Sequence, residues 1–233
     1  VLAVADRLRQ QCPSIRFAIP VAPTLTTAQL ADYAAATNPD RAAVYGTTAQ
    51  LQGHPEQPQL VTPLGTIIDL WTAFPAYSLL ANCDLCLTTV GANTAELARL
   101  GVPMVVILPT NKLDAMRAWD GLPGLLANLP WVGTAIAKVV NWIAHRYLGL
   151  LAWPNIWAEE EIVPELRGHL TPEAIAAAVS ALLGDDTRRQ TIRDRLQEWQ
   201  AQPGAARALT DLVRRQLAAT EPISVGRSSK FRT

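Results

Sequence analysis

The 233-residue chain is poor in the features that mark several protein classes. Neither charge is in excess: 20 Lys+Arg offset 20 Asp+Glu, for a formal net charge of +0. A nonspecific nucleic-acid binder carries a basic face, so nucleic acid is not expected as a partner. Cysteine is scarce, with only Cys12, Cys83 and Cys86 present. That excludes a disulfide scaffold and fits a reducing, cytosolic compartment. Aromatic residues make up 6% and charged residues 17%, yet 49% are hydrophobic, which excludes intrinsic disorder. The length allows one large domain or two small ones around a real core. No apolar run is long and unbroken enough to cross a bilayer as a helix, because Pro123, Pro130 and several glycines interrupt the richest stretch. No secretory signal is legible either. The opening VLAVADRLRQQCP reads as the middle of an amphipathic helix, so a truncated N-terminus and a missing N-terminal half of the same protein are expected.

Charge is spread unevenly. Residues 1–42 carry 7 charged residues, 43–158 carry 11 and 159–233 carry 22. The middle stretch therefore belongs in a core or against something apolar, and the last third reads as solvated helix. Along the chain, helix and strand patterns alternate. A helix is expected over Val1–Gln11, with Val1, Val4, Ala5 and Leu8 on one face, and a strand over Ile15–Val21. A helix follows over Thr26–Ala36 with Thr26 or Thr27 as N-cap. Ala42–Tyr45 and Gln59–Thr62 are weaker strands, and Pro75–Ala81 is a short helix. Asp84–Val90 reads as an apolar strand of the buried parallel type. Gly91 to Thr94 then open a helix that runs to Leu100, with Gly101 as its left-handed end and Val102–Leu108 as another buried strand. Strand, helix and strand in so few residues imply a right-handed parallel crossover, hence an α/β fold. Thr171-Pro172-Glu173 starts a well-capped helix ending at Gly184. Two arginine-rich helices, Asp186–Gln200 and Ala205–Ala219, are separated by Pro203-Gly204 and expected at the sheet edge.

Between Gly121 and Trp157 apolar residues crowd together, with only Lys138 and Arg146 charged. Lys138, Trp142 and Arg146 share one helical face at i, i+4 and i+8, and Trp131 lies just before them. Indole and cations together suit an interfacial helix facing a membrane. A core helix with two snorkelling cations fits the same pattern.

The turn that follows the apolar strand offers a ligand site. A helix start at the carboxyl end of a parallel strand presents free N–H groups and the positive end of the helix dipole, suited to a diphosphate. Gly91 permits close approach to the backbone, and Thr89, Asn93 and Thr94 add side-chain donors beside Ala92. Glu96, one turn in, is placed to accept from the two hydroxyls of a ribose. An unliganded helix also gains from an early glutamate, so physics alone leaves both readings open. At Trp153-Pro154-Asn155 a turn places an amide able to donate and accept toward a polar ligand. Glu159–Glu161 reads as a solvated helix start rather than a metal site, since consecutive acids splay apart. His54, His145 and His169 are scattered without ligand spacing. Cys83 and Cys86 form a lone C-x-x-C before a buried strand, which favours structural thiols over zinc or redox work. No metal or cofactor is expected.

Two segments carry a resemblance. LTTVGANTAELARLGVPMVV (residues 87–106) resembles the donor-site motif of the lipid-A-disaccharide synthases, and WPNIWAEEEIVPEL (residues 153–166) is similar to that family's second signature. Both occur in the right order with a hydrophobic segment between them. The likeness covers roughly residues 1–218 and implies the Rossmann-like C-terminal domain of a GT-B glycosyltransferase with extra C-terminal helices. It divides the chain into a nucleotide-sugar-binding domain over 1–184, including a membrane-facing segment over 121–157, then helices over 185–219 and a disordered tail over 220–233. The family transfers a diacylated glucosamine from UDP to a monosaccharide 1-phosphate lipid, with inversion, at the inner face of the cytoplasmic membrane. The resemblance implies a UDP-sugar donor, a lipid or glycolipid acceptor and a peripheral membrane location. It places Gly91, Ala92 and Asn93 at the diphosphate, Glu96 at the ribose and Asn155 near the sugar-phosphate end. It supplies no catalytic residue here, because the family's Gly-Ser-Arg loop and its carboxylate base would lie before Val1. Two further departures mark a divergent branch: Glu160 stands where the family has an arginine, and the connection Pro109–Trp153 carries an added Asp114–Leu129 segment. A non-catalytic lipid- or protein-binding module on the same scaffold is the competing reading, and a sugar-nucleotide epimerase a weaker one.

Overall fold

The computed structural model describes residues 1–38, 46–109, 149–200 and 205–219. The expected strand Ala42–Tyr45, the stretch 110–148 and the tail 220–233 lie outside the described residues. Trp131, Lys138, Trp142 and Arg146, expected to face a membrane, lie outside them too.

The described elements follow in the order α1 (Leu2–Gln11), β1 (Phe17–Pro20), α2 (Thr27–Tyr33), β2 (Gln50–His54), β3 (Gln57–Val61), β4 (Ile67–Trp71), α3 (Tyr77–Ala81), β5 (Cys86–Thr89), α4 (Ala92–Arg99), β6 (Met104–Pro109), α5 (Trp153–Ala158), β7 (Glu165–Gly168), α6 (Pro172–Leu183), α7 (Asp186–Gln200) and α8 (Ala205–Ala219). Val1–Gln200 form one compact unit and Ala201–Thr233 a second. The expected boundary at residue 184 falls inside the first unit, because α7 buries Ile192 and Leu196 in the same core as α6. Within the second unit, α8 exposes Leu209, Leu212 and Val213.

Two sheets organise the first unit. One has the order β1-β4-β3-β2, with β1 and β4 parallel and β2 and β3 returning as an antiparallel hairpin. The other is wholly parallel, in the order β5-β6-β7. Together with the flanking helices they make an α/β, Rossmann-like fold, as expected. Neither β2 nor β4 is anticipated from the sequence. β2 is exposed along its whole length, so it carries no apolar periodicity to read.

The main core forms around β6, where Met104, Val105 and Val106 lose essentially all contact with solvent. Helix α4 adds Leu97 and Ala98, and α6 adds Ile175, Ala176, Val179 and Leu182, a stripe at helical spacing. Leu196 of α7 is wholly buried and contributes roughly 2 kcal/mol by leaving water. A second core under the first sheet gathers Ala5, Val21, Ala34, Ala49, Leu60, Ile68 and Leu70. Helix α1 serves both, sending Val4 and Leu8 into one core and Ala5 into the other. Val1, expected on that buried face, is exposed, whereas Asp6 is buried and accepts a 2.6 Å hydrogen bond from the Thr62 hydroxyl.

The caps account for the helix limits. Thr26 accepts from the Gln29 amide while the Gln29 side chain accepts from the Thr26 amide, a reciprocal capping box for α2. Thr171 caps α6 with Pro172 at its first position. Gly101 ends α4 with φ +69°: its amide bonds Ala98 O at 3.0 Å and the Val102 amide bonds Leu97 O at 3.0 Å. That is the left-handed stop expected there. One expectation about burial fails. β6 is buried as predicted, but β5 is only half-buried, because its flank away from β6 has no strand beside it among the described residues.

Candidate functional site

The site grows from the end of β5. Thr89 is the last residue of that strand, paired in register with Ile107 of β6, and Val90 leads into Gly91. Gly91 is the N-cap of α4, with φ +149° and ψ −171°. Only glycine holds that backbone region comfortably, and a Cβ there would meet Asn93 Oδ1 at 2.9 Å. No side chain caps the helix. Ala92 and Asn93, its first two residues, are exposed, and their amides have no carbonyl one turn back to bond. An uncapped helix start at the carboxyl end of a parallel strand leaves donor groups and the positive end of the helix dipole facing outward, a geometry that suits an anion.

Asn93 is turned back onto the strand, its Nδ2 donating to Thr88 Oγ1. This holds the first turn of α4 against β5. Thr88, which the sequence reading passed over in favour of Thr89, thus shapes the mouth. The only signal for it is a hydroxyl on the second-last residue of the strand. Thr89 itself is exposed. Glu96 is exposed one turn into α4, on the free surface that the ribose reading requires.

Thr94 is different. It is fully buried, donates 2.8 Å to Gly91 O and accepts 3.1 Å from the Trp153 amide. Its hydroxyl clamps the start of α5 to the start of α4 and has no face toward a ligand. The expected donor is a brace.

Asn155 is corrected for the same reason. It has no solvent exposure, and its amide is saturated: Nδ2 donates to Val163 O at 2.8 Å and to Glu165 Oε1 at 2.8 Å, while Oδ1 accepts from the Ile162 and Val163 amides at 2.8 and 2.9 Å. An Asn amide offers two donors and two acceptor positions, all used inside the protein. Glu165 completes the knot, accepting from the Leu151 amide at 2.9 Å and the Ala152 amide at 2.8 Å and pairing with Arg167. Burial alone would push the Glu165 carboxyl up. The hydrogen bonds from Ala152, Leu151, Asn155 and Arg167 outweigh it and hold the group below its usual value of 4.5. The second signature is therefore an internal lock that sets where α5 and β7 meet.

The acidic run is also displaced from its expected place. Glu159 is the C-cap of α5, in the left-handed region at φ +57°, so Glu159–Glu161 follow a helix end rather than begin a helix. Glu160 pairs with Arg195 of α7. Of the exposed residues on α5, Trp153 and Trp157 pack ring to ring with centroids 6.0 Å apart, beside exposed Ile156. The Thr94 clamp puts this apolar surface next to the mouth, a neighbourhood no local pattern in the sequence announces. Cys83 and Cys86, expected as structural thiols, are half-buried and free. A hydrogen bond from Cys86 brings Cys83 down to about 7 and the same bond pushes Cys86 up.

The comparisons with known proteins agree with the two motifs. The chain is 28% identical over 232 residues to a lipid-A-disaccharide synthase from Nitrosococcus oceani, covering 98% of this chain and 46% of that protein. It is 30% identical over 210 residues to the enzyme of the same name from Anaeromyxobacter dehalogenans, covering 88% of this chain and 41% of that one. A lipid-A-disaccharide synthase from Thiobacillus denitrificans is 33% identical over 118 residues, half of this chain. No family model matches the chain, and no solved structure does. No described helix is long and apolar enough to cross a membrane. Over nearly its whole length the chain is similar to lipid-A-disaccharide synthases, and it spans about half the length of the curated relatives it matches.

Proposed function

We propose that this chain is the UDP-sugar-binding half of an inverting glycosyltransferase that moves an acylated glucosamine onto a glycolipid acceptor. The observation that carries the reading is the glycine-capped start of α4, open to solvent at the carboxyl end of β5, with Glu96 exposed one turn in. Gly91, Ala92 and Asn93 receive the diphosphate through backbone amides and the helix dipole, where the negative charge of the leaving UDP develops during transfer. Glu96 accepts from the ribose hydroxyls. Thr89 lies at the rim. Inverting transfer also needs a base beside the acceptor hydroxyl. In this reading that group comes from the part of the relatives' length that this chain does not span, so the chain alone holds the donor without turning it over.

Calorimetry with UDP on this chain tests the reading. UDP binds, and Glu96→Ala weakens it about tenfold, or about 1.4 kcal/mol, with no change in the thermal transition. Absence of UDP binding overturns the proposal.

The exposed Trp153, Ile156 and Trp157 favour an added role in docking peripherally on the inner face of the cytoplasmic membrane, where a lipid acceptor resides. Co-sedimentation with anionic vesicles is then reduced in Trp153→Ser/Trp157→Ser. Vesicle binding without any affinity for UDP would instead mark a non-catalytic lipid-binding module.

A further inference from the structure

The short turn between α3 and β5 carries two thiols. Asn82 ends α3, and its Nδ2 donates to Ser78 O at 2.7 Å. Cys83 follows, with its amide bonded to Leu80 O at 3.1 Å and its Sγ donating to Leu79 O at 3.4 Å. Asp84 lies in the bend, and Cys86 opens β5 with its amide on Pro103 O at 2.9 Å. From α7 the Arg193 guanidinium reaches the Asp84 carbonyl at 3.5 Å. Hydrogen bonds hold both flanks of the turn, so the fold sets where the two sulfurs lie.

The thiols meet each other: the Cys86 S–H donates to Cys83 Sγ. Both side chains pack against the main core and keep part of their surface in solvent. An inert structural thiol is sealed among apolar side chains, and these two are not. The hydrogen bond from Cys86 lowers Cys83 to about 7, against burial and the neighbouring Asp84 carboxylate, which raise it. Roughly half of Cys83 is then thiolate at neutral pH. Cys86 keeps its proton, pushed up by the same bond, by burial and by the charge on Cys83. Cys12 is the contrast, an exposed thiol whose Sγ lies 3.5 Å from the Ser14 hydroxyl. A thiolate that solvent reaches, with a second thiol touching it, is the arrangement that reacts with peroxide and then resolves. Where thiols are kept reduced, the disulfides that do form are transient ones of this kind.

We infer that Cys83 and Cys86 are a modification site, a dithiol that a peroxide oxidises to a disulfide within the turn between α3 and β5. The Cys83 thiolate attacks one peroxide oxygen. An S–O bond forms, the O–O bond breaks and hydroxide leaves, so an electron pair passes from sulfur to the peroxide. Cys86 Sγ then attacks Cys83 Sγ. The S–S bond forms, the S–O bond breaks, and the departing hydroxide takes the Cys86 proton as water. A dithiol reductant reverses the change by thiol–disulfide exchange. The bridge spans only Asp84 and Leu85 and ties the end of α3 to the first residue of β5. It lies at the other end of that strand from Thr89 and Gly91, so this inference and the UDP reading can fail separately.

The test treats the full chain carrying Cys12→Ser with hydrogen peroxide and follows intact mass and non-reducing peptide maps. The expected product is a monomer lighter by two hydrogens, bridged between Cys83 and Cys86 and returned to its starting mass by dithiothreitol. In Cys12→Ser/Cys86→Ala no bridge forms, and dimedone traps a sulfenic acid on Cys83. With all three cysteines present, Cys83 is consumed about threefold faster than Cys12. These two arms carry the test even where the alanine variant does not fold. Survival of both thiols at a peroxide concentration that oxidises Cys12 overturns the inference. So does a first adduct on Cys86, a sulfenic or sulfinic acid on Cys83 beside an unreacted Cys86, or a bridge that only joins two chains.

Discussion

The two segments that carry the family resemblance do opposite things in the folded chain. The first, from Thr88 to Glu96, opens outward: its glycine N-cap leaves amides uncommitted and its glutamate in solvent. The second, from Trp153 to Leu166, turns its polar centre inward, and every polar atom of the Asn155 amide is spent on Val163, Ile162 and Glu165. Thr94 joins them, braced between Gly91 O and the Trp153 amide. A family signature thus marks either a surface that meets a ligand or the lock that holds this surface in place. The two differ in how they respond to change: a lock loses stability, and a mouth loses affinity.

Asn155→Ala is the largest break. It orphans buried partners worth about 1–3 kcal/mol each, so the protein loses roughly 3–4 kcal/mol and its melting temperature falls by roughly 10 °C. Thermal denaturation followed by circular dichroism reads this directly. A loss below about 0.5 kcal/mol would mean that the second segment is not a lock. Thr94→Val keeps the shape and removes the hydroxyl, costing about 1–2 kcal/mol in urea unfolding. Because it frees the start of α5, UDP affinity is expected to fall less than in Glu96→Ala.

Glu165 connects the lock to pH. Its carboxyl sits below 4.5 in the folded state, so the folded form favours the ionised group. The stabilisation is fully present above pH 4.5 and is lost as pH falls below that value toward the folded pKa. Glu165→Gln should be less stable than the parent at neutral pH and should converge on it in acid, as urea titrations across pH would show. Parallel curves would exclude Glu165 as the source.

The smallest effect is a gain. Glu159 occupies a left-handed position that glycine holds without strain, so Glu159→Gly stabilises by about 1 kcal/mol. UDP binding is unchanged, since Glu159 is the C-cap of α5 and not among the residues assigned to the donor.

Much of this was legible in the residues. Thr26, Thr171 and Gly101 announce their helix limits because caps are local chemistry, complete within four or five residues. β6 reads as buried because five consecutive apolar residues from Met104 to Leu108 have no face to give to water. β2 could not be read: it pairs with β3 at the sheet edge and buries none of its residues. β5 misled because its composition suits a strand flanked on both sides, while among the described residues only its β6 flank is paired.

The sequence by itself determined the alternation of strands and helices, the glycine that uncaps α4 and the position of Glu96 on its surface. Each follows from backbone stereochemistry and periodicity over a few residues. Only the tertiary structure decided that Asn155 and Thr94 serve the fold, because whether a polar side chain is spent or free depends on partners 8 and 59 residues away. Local patterns place donors and acceptors along the chain, and packing determines which of them still face water.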